Sequence, residues 1–346
     1  MKNQKNTPAL VVKRVTKRSH MKKKELAECK GGSCSRRTIN PSKEKGYFDS
    51  FLKQTNKDDD SITSESNSFT EENIKDIGKS KSVVVKKGLM IGINYTGSSN
   101  ALNGCINDCE NLKEFLTSKG YFGSNDLILM NDNQSGNLYP TKNNILGQFK
   151  ELVKFANANK GKQIEMFVSY SGHGHHIKDT SGDEADGQDE VLCPIDFQSH
   201  GFIVDDQIRS DFIDKLPSNV KLLMIVDACH SGTMGDLRYA YKVDAANAYT
   251  VFGNYKDTKC KCVMISGCRD DQTSADAYVR DDVQKRMEYQ GAMSASLIKN
   301  YSNNITYNDL INKMRSWLRS NRYTQVPQLS SGKLININDK FILNEF

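Results

Sequence analysis

Five short runs constrain this chain most: "GLMIGI" (88–93), "DLILM" (126–130), "EMFVSY" (165–170), "KLLMIVDA" (221–228) and "KCVMIS" (261–266). Each is nearly all apolar. A strand with one wet face alternates apolar and polar residues; a run without alternation is a strand buried on both faces. Between these runs lie stretches with helical spacing, at 105–120, 141–159, 205–216, 291–301 and 306–321. The acidic residues opening 205–216 suit a helix N-terminus. Strand and helix alternate, so the expected class is α/β: a mostly parallel central sheet flanked by helices on both faces.

The front of the chain is different. Residues 1–50 hold 14 Lys/Arg against 4 Asp/Glu, a net of +10; the whole chain carries +6, which leaves −4 for residues 51–346. Residues 56–73, "NKDDDSITSESNSFTEEN", are almost without apolar side chains and cannot bury enough surface to order themselves. The expected division is a basic, polar, disordered tail at 1–81 and one folded domain at 82–346. The clusters "KRVTKR" and "KKK" suit an anionic surface or a nuclear address, and a solvated tail equally well. No run reaches the roughly 20 apolar residues of a membrane span. Nine cysteines, an odd number without framework spacing, fit a reducing compartment. A cytoplasmic monomer with no specific nucleic-acid partner is expected.

The chemistry sits where two of the apolar runs end. "VSYSGHGHH" (168–176) leaves its strand through Ser-Gly-His-Gly, and "LLMIVDACHSG" (222–232) through Asp-Ala-Cys-His. In an open parallel sheet, ligands bind beyond the carboxyl ends of the strands. Adjacent strands would bring His173 and Cys229 within reach of each other. A nearby histidine converts a thiol of pKa about 8.5 into thiolate or deprotonates it during attack. The N–H groups of Gly174 and Cys229 could form an oxyanion hole. Taken singly, a cysteine in a core or a histidine after a strand means little; the pair does. A zinc site built from His173, His175, His176, Cys229 and His230 is disfavoured, because three histidines in four residues do not face one ion easily.

Carboxylates form the second constellation. The segment "DTSGDEADGQDE" (179–190) fails as an EF-hand loop, having Glu184 where glycine is required. Asp189, Asp205, Asp206 and Asp236 still lie near turns and would suit a hard cation, although clustered aspartates often do no more than meet water. Asp227, two residues before Cys229 on the same strand, faces the same side and needs a cation or several donors. Asp108, on the helix starting near Cys105, is a candidate neighbour.

Taken together, "NGCINDCENL" (103–112), "YSGHG" (170–174), "DEADGQDEVLCPIDF" (183–197), "VDDQI" (204–208), "DACHSG" (227–232), "ISGCRDDQTSAD" (265–276) and "QVPQLSSGK" (325–333) resemble a type I metacaspase of the caspase-like clan. The resemblance runs from about residue 86 to the C-terminus. It implies a caspase-like fold and a cysteine endopeptidase cutting peptide and protein substrates after Arg or Lys. It implies His173 as general base, Cys229 as nucleophile, and Asp108, Ser171 and Asp227 as the pocket for the substrate's basic (P1) side chain. It also implies activation by Ca2+ through Asp189, Asp205, Asp206 and Asp236, and self-cleavage. The polar stretch 275–294 reads as an exposed loop, with Arg280, Lys285 and Arg286 as candidate cleavage sites. The tail matches neither a Pro-rich nor a zinc-finger prodomain. A pseudoenzyme or scaffold using the same acidic cleft to hold basic or misfolded proteins is the alternative, separable by its lack of a thiol-dependent product.

Overall fold

The computed structural model describes residues 37–39, 83–179, 182, 187–229, 231–243, 248–267, 276–280 and 287–345; at 37–39, 276–280, 287–288 and 344 it describes the backbone alone. Its strands are β1 (Arg37–Ile39), β2 (Val84–Gly92), β3 (Leu127–Asn131), β4 (Gln163–Ser171), β5 (Gly174–Lys178), β6 (Gln188–Leu192), β7 (Ile203–Val204), β8 (Val220–Asp227), β9 (Tyr239–Lys242), β10 (Ala248–Val251), β11 (Lys261–Ser266), β12 (Asp276–Arg280), β13 (Met287–Gly291) and β14 (Gln328–Ser331). Its helices are α1 (Cys105–Ser118), α2 (Lys142–Ala158), α3 (Phe197–His200), α4 (Asp205–Asp211), α5 (Ala292–Asn300) and α6 (Tyr307–Ser320).

The five apolar runs become the parallel part of a nine-stranded sheet, ordered β1-β10-β9-β14-β11-β8-β4-β2-β3. Pairs β3·β2, β2·β4, β4·β8 and β8·β11 are parallel. The absence of alternation has the expected cause. Leu89, Ile91, Val168 and Met224 pack on one face with Ile145, Phe149 and Leu152 of α2. Met90, Phe167, Leu223 and Ile225 pack on the other with Leu112 and Phe115 of α1, Met293 of α5 and Leu310 of α6. Period-two side chains thus feed two cores at once. Thr141 and Thr306 cap α2 and α6, each accepting a backbone N–H three residues on, from Asn144 and Asp309.

Three features depart from the sequence reading. An antiparallel extension, β14, β9, β10 and β1, continues the sheet beyond β11; residues 37–39, inside the stretch read as tail, form its outermost strand. The helix expected over 205–216 ends at Asp211, because Phe212 leaves helical geometry to stack on Phe149, ring centroids 4.8 Å apart. The loop expected over 275–294 contains a two-stranded ribbon instead, β12 against β13, with Asp276 opposite Gly291 and Arg280 opposite Met287. Its second strand packs on the start of α1: Asn107 Nδ2 donates to the Tyr289 carbonyl (2.8 Å), and the missing side chain of Gly104 makes room for the Gln290 backbone. Among the described residues no helix is long and apolar enough to cross a membrane, and six cysteines are free thiols.

Candidate active site

Strand register fixes the site. At the carboxyl ends of β2, β4 and β8, Ser171 stands between Gly92 on one side and Asp227 on the other. Just beyond, Gly172 N–H approaches the Asp227 carbonyl (3.4 Å). A Cβ on Gly174 would overlap the carbonyl oxygen of Cys229. Gly174 is therefore there for proximity: the chain carrying the histidine lies directly against the chain carrying the cysteine. Cys229 is half-buried, whereas the other described cysteines are buried. Burial, and then the neighbouring Cys229, push the Cys193 thiol up to about 12. His230 lies outside the described residues.

The imidazole has a defined tautomer. His173 Nε2 sits 2.8 Å from the Asn100 carbonyl oxygen. A carbonyl only accepts, so Nε2 is the donor here, and the neutral form of the ring is the tautomer with its lone pair on Nδ1. His173 N–H donates to Tyr95 Oη (3.0 Å), and its carbonyl accepts from Tyr170 Oη (2.8 Å) and from Cys193 N–H (3.1 Å). A half-buried thiol and a held imidazole, carried on two chain segments packed against each other, are the elements of a nucleophile with a base.

At the same strand ends two buried acids and a serine come together. Asp108 on α1, Ser171 at the end of β4 and Asp227 at the end of β8 are 1%, 3% and 4% exposed. The structure brings all three together: Ser171 Oγ donates to Asp108 Oδ2, and Asp108 and Asp227 both face Gly291, where a Cβ would overlap their carboxylates. Gly291 N–H donates to Asp108 Oδ1 (2.7 Å); Ser294 N–H (2.9 Å) and Oγ (3.0 Å) donate to Asp227 Oδ2. These donors, at the N-terminus of α5, satisfy part of each carboxylate without a cation. Gly291 and Ser294 escaped the sequence reading. The faint signal for them was a glycine and a serine at the start of an apolar helix.

The other aspartates gather less tightly. Asp189 and Asp205 are buried, on β6 and at the first residue of α4, and Asp236 is buried in the loop after Cys229 with φ +50°. Asp205 accepts from Glu190 N–H (3.0 Å) and Asp206 N–H (2.9 Å). Burial, with Asp189 a lesser contributor, pushes the Asp205 carboxyl up to about 7. Two contacts tie the loop after Cys229 to this patch. Thr233 Oγ1 donates to Glu190 Oε2 (2.6 Å), and Arg209 Nη1 donates to the Asp236 carbonyl (2.6 Å). The donor set, buried carboxylate oxygens, has the hard-oxygen chemistry calcium takes. Among the described residues, however, no three His, Cys, Asp or Glu side chains are gathered closely enough to hold an ion. Of the candidate cleavage residues, Arg280 ends β12, and Lys285 and Arg286 lie outside the described residues.

Comparison with known proteins gives the family. Residues 86–238 match the family described as metacaspase, peptidase C14 domain. Metacaspase-1 of Meyerozyma guilliermondii is 35% identical over 306 residues, covering 75% of this chain and 72% of that protein. Metacaspase-1 of Scheffersomyces stipitis is 36% identical, covering 75% and 73%; that of Saccharomyces cerevisiae is 35% identical, covering 75% and 69%. The chain belongs to the metacaspase family of cysteine-type peptidases, and its mostly parallel, helix-flanked sheet is the caspase-like fold.

Proposed function

We propose that the protein is a calcium-dependent cysteine endopeptidase that cleaves after Arg or Lys. The observation that supports this best is the buried pair of carboxylates, Asp108 and Asp227, converging on Gly291 beneath the strand ends that carry His173 and Cys229. Two negative charges in a poorly solvated pocket attract a guanidinium or ammonium group and repel a carboxylate.

The chemistry follows from the groups present. His173 Nδ1 takes the proton from Cys229, and the sulfur attacks the carbonyl carbon of the P1 residue. The N–H groups of Gly174 and Cys229 would bear the developing oxyanion. Collapse breaks the C–N bond, and His173 returns the proton to the leaving amine. Water, deprotonated by His173, then hydrolyses the thioester and frees the thiol. Asp189, Asp205, Asp206 and Asp236 would hold calcium. When bound, the ion supplies charge that relieves the repulsion among these carboxylates, and the loop after Cys229 would then be ordered against α4.

The test is a panel of reporter peptides differing only at P1, assayed with calcium and with excess chelator. Turnover is expected after Arg and Lys, in calcium only. Efficient cleavage after Asp would overturn the pocket assignment; full activity in chelator would overturn the metal assignment.

A more local prediction concerns Gly291. In Gly291→Ala the new methyl group collides with both carboxylates and occupies space that a basic side chain needs. The expected fall in kcat/KM on an Arg reporter is about 100-fold, the scale of a displacement near 1 Å. Steady-state kinetics on folded protein check it.

A further inference from the structure

Tyr95 lies just past the end of β2, far from either catalytic motif in sequence, yet it surrounds His173. Its backbone is in the left-handed region, φ +50°. For an aromatic residue that is an unfavourable conformation, of the kind retained where surrounding structure enforces it. The surroundings do. Asp132 grips the chain on both sides, accepting Asn94 N–H (2.9 Å) and Thr96 N–H (2.8 Å). Ser98 N–H and Oγ both donate to the Tyr95 carbonyl (3.1 and 2.8 Å), closing a turn. That turn carries the chain to Asn100, whose carbonyl takes the His173 Nε2 proton.

The side chain acts on the same histidine. The Tyr95 ring lies against the imidazole, centroids 4.7 Å apart and planes 35° apart. Its hydroxyl accepts His173 N–H (3.0 Å) and donates to the Cys193 carbonyl (2.6 Å). Tyr170, whose hydroxyl is 3.1 Å away, donates to the His173 carbonyl (2.8 Å). Both backbone polar groups of the histidine are thus held by buried tyrosines. Burial raises both phenols well above their ordinary pKa, so they remain donors through the working pH range. Gly172 completes the arrangement: a Cβ there would stand 2.8 Å from Tyr170 Oη and 3.0 Å from Tyr95 Oη, so the residue before the histidine must be small.

We infer that Tyr95 is a positioning residue for His173, fixing the imidazole's height with its hydroxyl, its tilt with its ring and its tautomer through the turn that presents Asn100. This rests on the proposed Cys229–His173 dyad. It predicts that the hydroxyl matters to the proton transfer and not to substrate binding.

The test uses Tyr95→Phe, which keeps the ring and the same backbone conformation and removes only the hydroxyl. The expected result is a 10- to 100-fold lower kcat on an Arg reporter with KM within about twofold of wild type. The second readout is the rate of Cys229 alkylation by iodoacetamide against pH, followed by mass spectrometry of the Cys229 peptide. In Tyr95→Phe the profile should move toward that of His173→Ala. Gly172→Ala, which pushes both hydroxyls from their places while leaving Tyr95 intact, should move it the same way and serves if Tyr95→Phe does not fold. A wild-type kcat together with a wild-type alkylation profile in a folded variant overturns the role of Tyr95 alone. An alkylation profile that is the same in His173→Ala as in wild type overturns the dyad and this inference with it.

Discussion

Cys229→Ala is expected to lose at least about 10⁴-fold in cleavage of an Arg reporter peptide, because removing a nucleophile leaves only binding and electrostatic assistance to act on the bond. The half-buried thiol contributes little packing, so the urea midpoint should correspond to a stability change under about 1 kcal/mol. The same variant separates self-cleavage from contamination. Wild-type protein in calcium is expected to be cut after one or more of Arg280, Lys285 and Arg286, as read by N-terminal sequencing of the fragments; Cys229→Ala protein should stay full length under the same conditions. Unchanged reporter turnover in this variant would end the mechanism proposed for the site.

Gly174→Ala is expected to have the next largest effect, although it touches no ionisable group. A methyl group there would overlap the Cys229 carbonyl oxygen and crowd the Ala228 methyl group at 3.0 Å. Both belong to buried or half-buried chain at the strand end, so neither can rotate away as a flexible side chain would. The two chain segments must part, and with them His173 and Cys229. A separation of about 1 Å between reacting groups costs on the order of 100-fold in kcat. Overpacking of this kind also destabilises, by about 1–3 kcal/mol. The diagnostic is a kcat loss that persists at temperatures where circular dichroism shows the variant folded. A folded variant with wild-type kcat would mean that the close approach of the two segments is not what the reaction depends on.

What could be read in the sequence, and what could not, divides along a physical line. The parallel strands were legible because each is apolar without alternation, and α1, α2, α5 and α6 because their apolar positions repeat at helical spacing. His173, Cys229, Asp108 and Asp227 were legible because they stand at the ends of those elements in recognisable company. The ribbon of β12 and β13 was not. Its strands are polar and charged, and β13 is held by backbone contacts with Asn107 and Gly104, nearly two hundred residues away. Gly291 and Asn100 act through backbone N–H and C=O groups, which no side chain announces, and Ser294 partly so. Tyr95 was hidden for a related reason. An aromatic residue after an apolar strand looks like core, and only the fold shows that its ring faces an imidazole and its backbone is left-handed.

The placement of Gly291 and Ser294 has one more consequence, for what a cut enzyme would be. Any nick between Arg280 and Met287 leaves Asp108, His173, Asp227 and Cys229 on the upstream fragment. Two of the residues that donate to these acids, Gly291 to Asp108 and Ser294 to Asp227, fall on the downstream fragment. So does β14, which is hydrogen-bonded between β11 and β9 of the upstream piece. Neither fragment has a complete sheet or a complete acidic pocket by itself. After a single cut the nicked protein would therefore persist as an interlocked two-chain particle of nearly the same mass, its specificity written jointly by both pieces, and would come apart only when the sheet itself is unfolded.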